Sequence, residues 1–344
     1  MTLKLTDLKY PDYERVLLAE EKKTGFHSII AIHNTKRGPA LGGCRYFPYN
    51  SHEDQLNDVL NLSKAMTYKN SLANLSFGGG KATVNARVSK DHFHELFSQV
   101  LNALDGVYLT AGDIGIVDQD LIELKKLSPH VCSTKGTDSG ESTAFGVFNA
   151  MIGYQEFKQN SSTLDGKKIL IKGYGKVGAR LASFCKNSGA IIEVVDFESQ
   201  KPLIEKNGFK FLNQYSDTTF DHIDIFSPCA TGGDINQDFL NFTNSVKVDC
   251  ILGAANNQLA DSEIEIKLFE SNITYCPDYC VNAGGVIILA LRSSIKEDIE
   301  FSDIEANKKL IGIKEQLKKI LQLSKEKKQI TSISSNELAE RGFQ

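Results

Sequence analysis

The 344-residue chain contains no apolar run that approaches the roughly 18 residues needed to span a membrane. Its first residues, Met-Thr-Leu-Lys-Leu-Thr-Asp, lack the apolar segment of a secretory signal peptide. The net charge of -4 gives no electrostatic reason to expect a nucleic acid or an anionic membrane as a partner. With 41% apolar and 24% charged residues, we expect a cytoplasmic globular protein, and its length favours two domains.

The seven cysteines, scattered between Cys44 and Cys280, do not form a disulfide pattern. Their odd number and irregular spacing favour a reducing compartment over a disulfide-stabilised secreted fold. Cys276 and Cys280 have a spacing that loosely resembles a metal site, but no second Cys or His pair lies near them. We therefore predict that the protein binds no metal.

The most unusual stretch is Leu75–Val84, in which the glycines 78–80 are followed by Lys81. Because glycine has no Cβ, such a segment can form a turn whose backbone approaches a ligand closely. A second lysine, Lys69, precedes this stretch and ends a helix that we predict over residues 52–69. Two lysines therefore converge on one glycine-rich segment.

The predicted helix begins with an N-cap pattern, Ser51 followed by Asp54. Its apolar stripe consists of Leu62, Ala65 and Met66. Lys69 lies on the same stripe, where a buried residue is expected, and a buried charge is costly unless an anion neutralises it. The pattern favours an anion-binding site, and the alternative is that Lys69 only extends to solvent from the helix end.

The rest of the first half alternates predicted helices and strands. We expect a helix within residues 1–23, a strand over Phe26–His33, a helix over Asp91–Leu104 and a strand over Val107–Ala111. A second glycine pair, Gly42 and Gly43, lies in the segment Ala40–Tyr46. This segment fits either the corner of a hairpin or a stretch of backbone that contacts a substrate.

The strand predicted over Val107–Ala111 leads into Gly112-Asp113-Ile-Gly115. A carboxylate at a strand end, beside a flexible turn, is a typical position for a catalytic group. Asp113 could equally cap the helix predicted over Asp118–Leu127. The residues alone do not choose between these two interpretations.

The second half contains the complete pattern of a dinucleotide-binding fold, after a polar segment over residues 133–143 that is typical of a hinge. A strand over Lys168–Lys172 precedes Gly-Tyr-Gly-Lys-Val-Gly at residues 173–178, and a helix follows. The next strand, Ile191–Val195, ends at Asp196. This order of strand, glycine loop, helix, strand and acid is that of the Rossmann fingerprint.

The glycine loop is predicted to hold the pyrophosphate at the helix N-terminus. Asp196 would accept hydrogen bonds from ribose hydroxyls and would repel a 2′-phosphate, so we predict NAD rather than NADP. The candidate cofactor residues of the loop are Gly173, Gly175, Lys176, Val177 and Gly178.

Later strands over His222–Phe226, Val246–Leu252 and Ile273–Cys276 complete a doubly wound sheet. Two loops follow strand ends, where open α/β sheets bind ligands, and they contain Cys229-Ala230 and Asn256-Asn257. The asparagine pair either offers amide groups to a ligand or only forms a turn. Ser302 with Glu305 predicts the start of a last long helix.

Five segments of the chain resemble, in the right order, those of the Glu/Leu/Phe/Val dehydrogenases, and most of all the leucine, valine and phenylalanine branch. They are Gly38–Arg45, Met66–Lys69, Gly78–Lys81, Gly253–Leu259 and Pro277–Gly285. The resemblance implies an α/β fold in which an N-terminal α/β substrate domain faces a Rossmann-type NAD-binding domain, with the active site in the cleft between them. We expect the first domain over residues 1–135 plus a C-terminal helix at about 325–344, and the second over 136–324.

The resemblance also implies reversible oxidative deamination of an L-amino acid to a 2-oxo acid and ammonium, with NAD, in a homo-oligomer. Lys81 would be the catalytic lysine, Asp113 would exchange protons with the amino group, and Lys69 would bind the substrate carboxylate. Further substrate residues implied are Gly42, Gly43, Leu41, Met66, Ala111, Asn257, Val286 and Leu289. Further cofactor residues implied are Thr143, Cys229, Ala230 and Asn256.

The side-chain pocket implied by the resemblance is apolar, so we expect a leucine- or valine-like substrate. Leu289 stands where relatives often carry valine. The extra methylene of leucine would shorten the pocket and disfavour phenylalanine or tryptophan as substrates. A glutamate dehydrogenase would need a cation where Leu41 stands. A catalytically silent NAD-binding protein is disfavoured because Lys69, Lys81 and Asp113 are all retained. Gly112 departs from the acidic or amide residue that usually precedes the aspartate in relatives.

Overall fold

The computed structural model describes residues 2–132, 138–293 and 302–343, which group into two compact units. The first unit comprises the described residues up to Cys132 together with 289–293 and 339–343. The second comprises residues 138–288 and 302–338. Residues 325–338, which we expected in the first domain, therefore group with the second unit.

The first unit is built on a six-stranded mixed sheet. Its strands are β1 (Lys4–Leu8), β2 (Arg15–Glu21), β3 (Phe26–Asn34), β4 (Ala40–Phe47), β5 (Gly78–Asn85) and β6 (Tyr108–Gly112). Its helices are α1 (His52–Leu72), α2 (Lys90–Ala103) and α3 (Asp118–Leu127). The strand order is β1-β2-β3-β5-β4-β6, in which only β4 is parallel to its two neighbours.

The register of the three parallel strands decides which side chains meet. Cys44 of β4 pairs with Ala82 of β5 and with Gly112 of β6. Cys44 and Ala82 belong to the apolar core that also contains residues of α2. Because successive side chains of a strand point to opposite faces, the neighbours Arg45, Lys81 and Asp113 share the other face.

The prediction of a helix within residues 1–23 is wrong, because β1 and β2 form there instead. Val16 and Leu17 fit a helical spacing, yet both are buried in β2, which pairs with β3 along its whole length. Pairing with a neighbouring strand outweighs a short helical pattern, because every backbone group of the segment then has a partner.

The interpretation of the glycines 78–80 as a turn that approaches a ligand is also wrong. They form the first residues of β5, and all three are buried. A Cβ on Gly79 would overlap the backbone of Thr67 in α1, and a Cβ on Gly78 would overlap the carbonyl of Asn34. The glycines therefore let α1 pack directly on the strand, and β4 is likewise a central strand rather than a hairpin corner.

Helix α1 begins as predicted, since the Ser51 side chain accepts a hydrogen bond from the Asp54 amide. Its buried face differs from the prediction and contains Leu56, Val59, Ser63, Thr67 and Asn70. Lys69 is only half-buried. Small polar residues can form this face because the glycines of β5 leave room for the helix at close range.

The second unit is a doubly wound sheet of six parallel strands. The strands are β7 (Lys168–Lys172), β8 (Ile191–Val195), β9 (Lys210–Leu212), β10 (His222–Pro228), β11 (Lys247–Ile251) and β12 (Thr274–Tyr275). The order β12-β11-β10-β7-β8-β9 is the Rossmann order once the strands are counted from β7. The predicted strands at Lys168–Lys172 and Ile191–Val195 are confirmed.

Helices cover this sheet and follow it. They are α4 (Ser139–Gln159), α5 (Gly178–Asn187), α6 (Lys201–Lys206), α7 (Gln237–Thr243), α8 (Glu263–Glu270), α9 (Asp278–Val281), α10 (Gly284–Ser293), α11 (Asp303–Lys327) and α12 (Thr331–Glu340). The N-cap predicted at Ser302 is confirmed, but α11 is not the last helix. None of the described helices combines the length and the apolar character needed to cross a bilayer.

The predicted hinge at residues 133–143 is only partly within the described chain. Residues 133–137 lie outside it. Asp138 caps α4 by accepting hydrogen bonds from the amides of Gly140 and Glu141, so residues 139–143 are helical and not a hinge. An Asp at an N-cap satisfies backbone donors that would otherwise have no partner.

Candidate active site

The centre of the candidate site is a close contact between Lys81 and Asp113. The Nζ atom of Lys81 lies 2.9 Å from Oδ2 of Asp113, and only 9% of the lysine side chain is exposed. Burial raises the pKa of the Asp113 carboxyl, but Lys81 and Arg45 outweigh it and lower that pKa from its ordinary value. The N-cap residue of helix α3 is Val117, whose backbone amide donates to the Asp120 carboxylate, so the capping interpretation of Asp113 is wrong.

Arg45 is the second cation at this carboxylate, and the sequence motifs did not predict this role. Its Nε atom lies 3.1 Å from Oδ2 of Asp113, and its Nη1 atom donates to both oxygens of Asp58 at 3.0 Å. Tyr49 donates a hydrogen bond to Asp58 at 2.5 Å. An arginine within an otherwise apolar and glycine-rich strand could have indicated this role, because a half-buried guanidinium needs carboxylate partners.

The glycine pair of β4 makes room for the site. A Cβ on Gly43 would lie 2.7 Å from the carbonyl oxygen of Gly112 and 3.0 Å from Cβ of Asp113. Met66 lies beside Gly42, with its Cγ atom 3.4 Å from the position of a Cβ there. The buried Tyr108 hydroxyl donates to the carbonyl of Gly42 at 2.8 Å, which fixes this backbone.

Lys69 lies in the last turn of α1, and its neighbour Asn70 anchors that turn. The Asn70 amide donates to the carbonyl of Gly78 at 2.6 Å and to that of Leu41 at 3.3 Å. Leu41 itself is fully buried and Ala111 is 6% exposed. Both are apolar as predicted, but Leu41 has no surface open to a ligand in this structure.

The loop between β7 and α5 has the geometry of a pyrophosphate cradle. Gly173 has φ of 105°, which favours glycine, and a Cβ on Gly178 would overlap the carbonyl of Gly173. Around Gly175 no described atom lies within 4 Å of the position of a Cβ. Gly173 and Gly178 are therefore required by the backbone packing of the loop. Gly175 instead leaves open space, as close approach of a pyrophosphate requires.

Asp196 is held against this loop at the end of β8. One carboxylate oxygen accepts from the Tyr174 amide at 2.5 Å and the other from the Phe197 amide at 2.6 Å. The Lys176 side chain is 62% exposed, and its Nζ atom lies 3.5 Å from Oδ1 of Asp138. Val177 is the half-buried residue before α5.

The remaining cofactor residues lie on neighbouring loops of the second unit. Cys229 and Ala230 follow β10 and lie against Gly173, whose Cβ would be 2.8 Å from the Ala230 amide. The Thr143 hydroxyl accepts a hydrogen bond from the Gly285 amide at 3.1 Å and donates to the Ser139 carbonyl at 2.7 Å. Thr143 therefore links α4 to the start of α10.

Asn256 and Asn257 are both exposed on the loop after β11. Asn257 has φ of 53°, a left-handed turn conformation, and its amide donates to Asp278 at 2.9 Å. Asn256 accepts a hydrogen bond from Asn282 at 2.8 Å. The turn interpretation holds for the backbone of Asn257, whose side chain is exposed.

Val286 and Leu289 are both half-buried, whereas Ile287 and Ile288 between them are buried. Val286 and Leu289 therefore share one face of α10, as their i, i+3 spacing predicts.

One group of side chains among the described residues could hold a metal ion. His222, Asp224 and Asp249 offer ligand atoms within 4.8 Å of one another, at the amino ends of their strands. Lys167 lies 3.2 Å from Asp224 and Lys247 lies 3.2 Å from Asp249. The lysines already neutralise the carboxylates that a cation would need.

The Rossmann strand order and the open glycine loop define a dinucleotide-binding protein. Two family models match the chain: Glu/Leu/Phe/Val dehydrogenase, dimerisation domain, over residues 14–126, and Glutamate/Leucine/Phenylalanine/Valine dehydrogenase over residues 199–341. The chain therefore belongs to the Glu/Leu/Phe/Val dehydrogenase family, whose members are oxidoreductases.

Individual relatives of this chain differ in their substrates. The phenylalanine dehydrogenase of Thermoactinomyces intermedius is 40% identical over 292 residues, which cover 81% of this chain and 78% of the relative. The leucine dehydrogenase of Geobacillus stearothermophilus is 35% identical over 341 residues, which cover 96% of this chain and 90% of the relative. The crystal structure of L-tryptophan dehydrogenase from Nostoc punctiforme has a TM-score of 0.85 and 30% identity, with 96% of each chain covered.

Proposed function

We propose that this protein catalyses the reversible, NAD-dependent oxidative deamination of an apolar L-amino acid to a 2-oxo acid and ammonium. The observation that carries the proposal is the buried contact of Lys81 with Asp113 at 2.9 Å. Deamination needs a group that takes a proton from the amino nitrogen and a group that assists water at the resulting imine carbon. A carboxylate and a lysine in hydrogen-bond contact supply both.

In this proposal Asp113 exchanges a proton with the amino group. Lys81 assists the attack of water and stabilises the carbinolamine that forms before ammonium leaves. Lys69 binds the substrate carboxylate by charge, and the backbone of Gly42 and Gly43 lies along the substrate.

The cofactor proposal rests on the open space at Gly175 and on Asp196 beside it. NAD supplies the hydride acceptor when it is bound. The Asp196 carboxylate would accept hydrogen bonds from ribose hydroxyls and repel a 2′-phosphate. Asn256, Thr143, Cys229 and Ala230 are the proposed contacts on the neighbouring loops.

For the substrate side chain we propose leucine or valine. Val286 and Leu289 present one half-buried apolar face of α10, and Leu289 would leave less room for a large side chain than a valine at that position would. A second candidate is an aromatic substrate, which is favoured by the 40% identity to a phenylalanine dehydrogenase. A Leu289→Val variant separates them, because one methylene changes selectivity by about 1–3 kcal/mol. The first candidate requires Leu289→Val to improve phenylalanine relative to valine, and a wild type that prefers phenylalanine contradicts it.

The reaction is tested by NADH absorbance with L-leucine, L-valine, L-phenylalanine, L-tryptophan and L-glutamate. We expect turnover with an apolar amino acid and its loss in Lys81→Ala, with NADH binding retained. The matched control is Lys64→Ala, because Lys64 is an exposed lysine of α1 outside the proposed site. Turnover of Lys81→Ala near that of wild type would refute the assignment.

We also propose that the chain self-associates and resides in the cytoplasm. The family model over residues 14–126 is described as a dimerisation domain. All seven cysteines are free thiols, as suits a reducing compartment. Light scattering of the purified protein tests the association, and a monomeric mass at micromolar concentration would oppose it.

A further inference from the structure

Arg45 connects the candidate catalytic carboxylate to a second carboxylate that lies on a different element. It reaches Asp113 with Nε at 3.1 Å and Asp58 of α1 with Nη1 at 3.0 Å. The exposed fractions of these side chains are 18% for Arg45, 23% for Asp113 and 26% for Asp58. Charges that are this little exposed are screened less by solvent and salt than surface charges are.

The contacts of Asp113 are asymmetric. Lys81 and Arg45 both approach the same oxygen, Oδ2. The backbone amide of Ile114 also donates a hydrogen bond to this carboxylate. The Asp113 carboxylate is therefore held by two cations at Oδ2 and by one backbone amide.

Arg45 is itself held firmly. Asp58 accepts from it with both oxygens, and Tyr49 donates a hydrogen bond to Asp58 at 2.5 Å. Burial and this hydrogen bond raise the pKa of Tyr49, so the phenol stays protonated and remains a donor. Burial disfavours the charge on Arg45, but Asp113 and Asp58 outweigh it and raise its pKa. The guanidinium is thus permanently charged and fixed in orientation.

We propose that Arg45 is a positioning residue for the dehydrogenase reaction: with Lys81 it fixes Oδ2 of Asp113 and so orients the carboxylate that exchanges a proton with the reacting amino group. In the deamination direction an N–H bond of the substrate breaks, its electron pair stays on nitrogen, and an O–H bond forms at the Asp113 carboxylate. Asp58 and Tyr49 hold Arg45 in place for this role. The inference rests on the proposed function for its catalytic part, and its electrostatic part stands on the contacts alone.

The charged and titratable groups around Asp113 come from several elements. They are Lys81 of β5, Arg45 and Cys44 of β4, Tyr108 of β6 and, beyond Arg45, Asp58 and Tyr49. Burial raises the pKa of both Cys44 and Tyr108, so these two groups are neutral near pH 7. The local charges that act on Asp113 are therefore Lys81, Arg45 and the opposing Asp58.

This arrangement predicts that removing Arg45 and removing Asp58 shift the pKa of Asp113 in opposite directions. Arg45 holds the pKa of Asp113 down, so Arg45→Gln should raise it. Asp58 is a negative charge beside Arg45, so Asp58→Asn should lower the pKa of Asp113.

The direct measurement is a carboxyl carbon NMR titration of the full-length protein labelled at aspartate. The Asp113 signal is assigned by its absence in Asp113→Asn. The matched control is Arg15→Gln, which removes an arginine from a more exposed ion pair with Asp7 in the same unit. An unchanged Asp113 pKa in Arg45→Gln, or shifts of the same sign in Arg45→Gln and Asp58→Asn, would overturn the inference.

The kinetic measurement separates positioning from binding. We expect Arg45→Gln to lower kcat by about tenfold or more with little change in KM, because proton transfer typically contributes a hundredfold or more. Arg45→Lys should restore part of the lost kcat and bring the pKa of Asp113 part of the way back to its wild-type value. Lysine keeps the positive charge but lacks the planar, forked geometry of the guanidinium. A changed KM with unchanged kcat would overturn the positioning role. Absence of activity with every amino acid would refute the proposed function instead, and the titration would still decide the electrostatic part.

Discussion

The two glycine-rich segments of this protein, residues 78–80 in the first unit and 173–178 in the second, differ in what occupies the space next to them. A Cβ on Gly79 would overlap Thr67 of α1, and a Cβ on Gly80 would lie 2.9 Å from the ring of Tyr108. Around Gly175, by contrast, no described atom lies within 4 Å of that position. One segment is filled by the protein itself, and the other is open to a ligand.

A glycine in a sequence tells the reader that a side chain is missing. It does not tell whether protein or a ligand fills the space that the side chain would have taken. In β5 the glycines allow a helix to lie directly on a strand, and this contact supports the end of α1 that carries Lys69. In the Rossmann loop the middle glycine keeps a cradle empty. Substituting Gly79 should therefore damage stability, whereas substituting Gly175 should weaken cofactor binding.

The largest effect is expected for Gly79→Ala. The added methyl group would overlap the backbone of Thr67 and push α1 away from β5. Overpacking of a buried contact costs about 1–3 kcal/mol, and we expect the upper end because the opposing atoms are backbone and cannot rotate away. Urea denaturation measures the loss, and a change below about 1 kcal/mol would contradict the account of this segment.

Gly175→Ala should leave the free energy of unfolding nearly unchanged but weaken NADH binding by about tenfold, or about 1.4 kcal/mol. The methyl group would enter the open space that a pyrophosphate needs. Fluorescence titration with NADH measures the affinity. Gly312→Ala is the matched control, because Gly312 of α11 also has no described atom within 4 Å but lies in a helix outside the cofactor loop. Equal NADH affinity in both variants would count against a pyrophosphate at residue 175.

Asp196→Ser should reduce the preference for NAD over NADP by about tenfold, since it removes a carboxylate that would lie near a 2′-phosphate. The serine keeps a hydroxyl for the ribose, so activity with NAD should persist. The ratio of kcat/KM for the two cofactors measures the effect. A wild type that uses both cofactors equally would already exclude this role of Asp196.

The smallest effect is expected for Gly112→Ala, although Gly112 directly precedes Asp113. The nearest atoms to its Cβ beyond the chain neighbours would be the side chains of Leu121 at 3.5 Å and Ile116 at 3.9 Å and the carbonyl of Ile116, which are ordinary contacts. We expect the free energy of unfolding to change by less than about 1 kcal/mol. If Gly112→Ala lowered the free energy of unfolding as much as Gly79→Ala does, the space next to a glycine would not decide whether the glycine can be replaced by alanine.

Local patterns predicted the features that neighbouring residues determine. The caps at Ser51 and Ser302 and the two strands that flank the Rossmann glycine loop follow from hydrogen bonds and periodicities within a few residues. The roles of Lys81 and Asp113 came from a resemblance of motifs. Their contact across 32 positions is a product of the parallel register of β4, β5 and β6.

The failures share one physical cause, which is that they depend on partners far away in the chain. Residues 15–21 form a strand because β3 is available to pair with them, although their apolar spacing suits a helix. The glycines of β5 form a strand because β3 and β4 pair with them, and α1 packs where their side chains are missing.

The sequence by itself determined the Rossmann unit, its glycine loop and the acid that follows it, because that motif is local and its chemistry is fixed by spacing. Only the tertiary structure decided that Arg45 holds Asp113 and that Asp58 holds Arg45. Strand register and helix packing bring these charges together, and no short-range pattern encodes which carboxylate a guanidinium will meet.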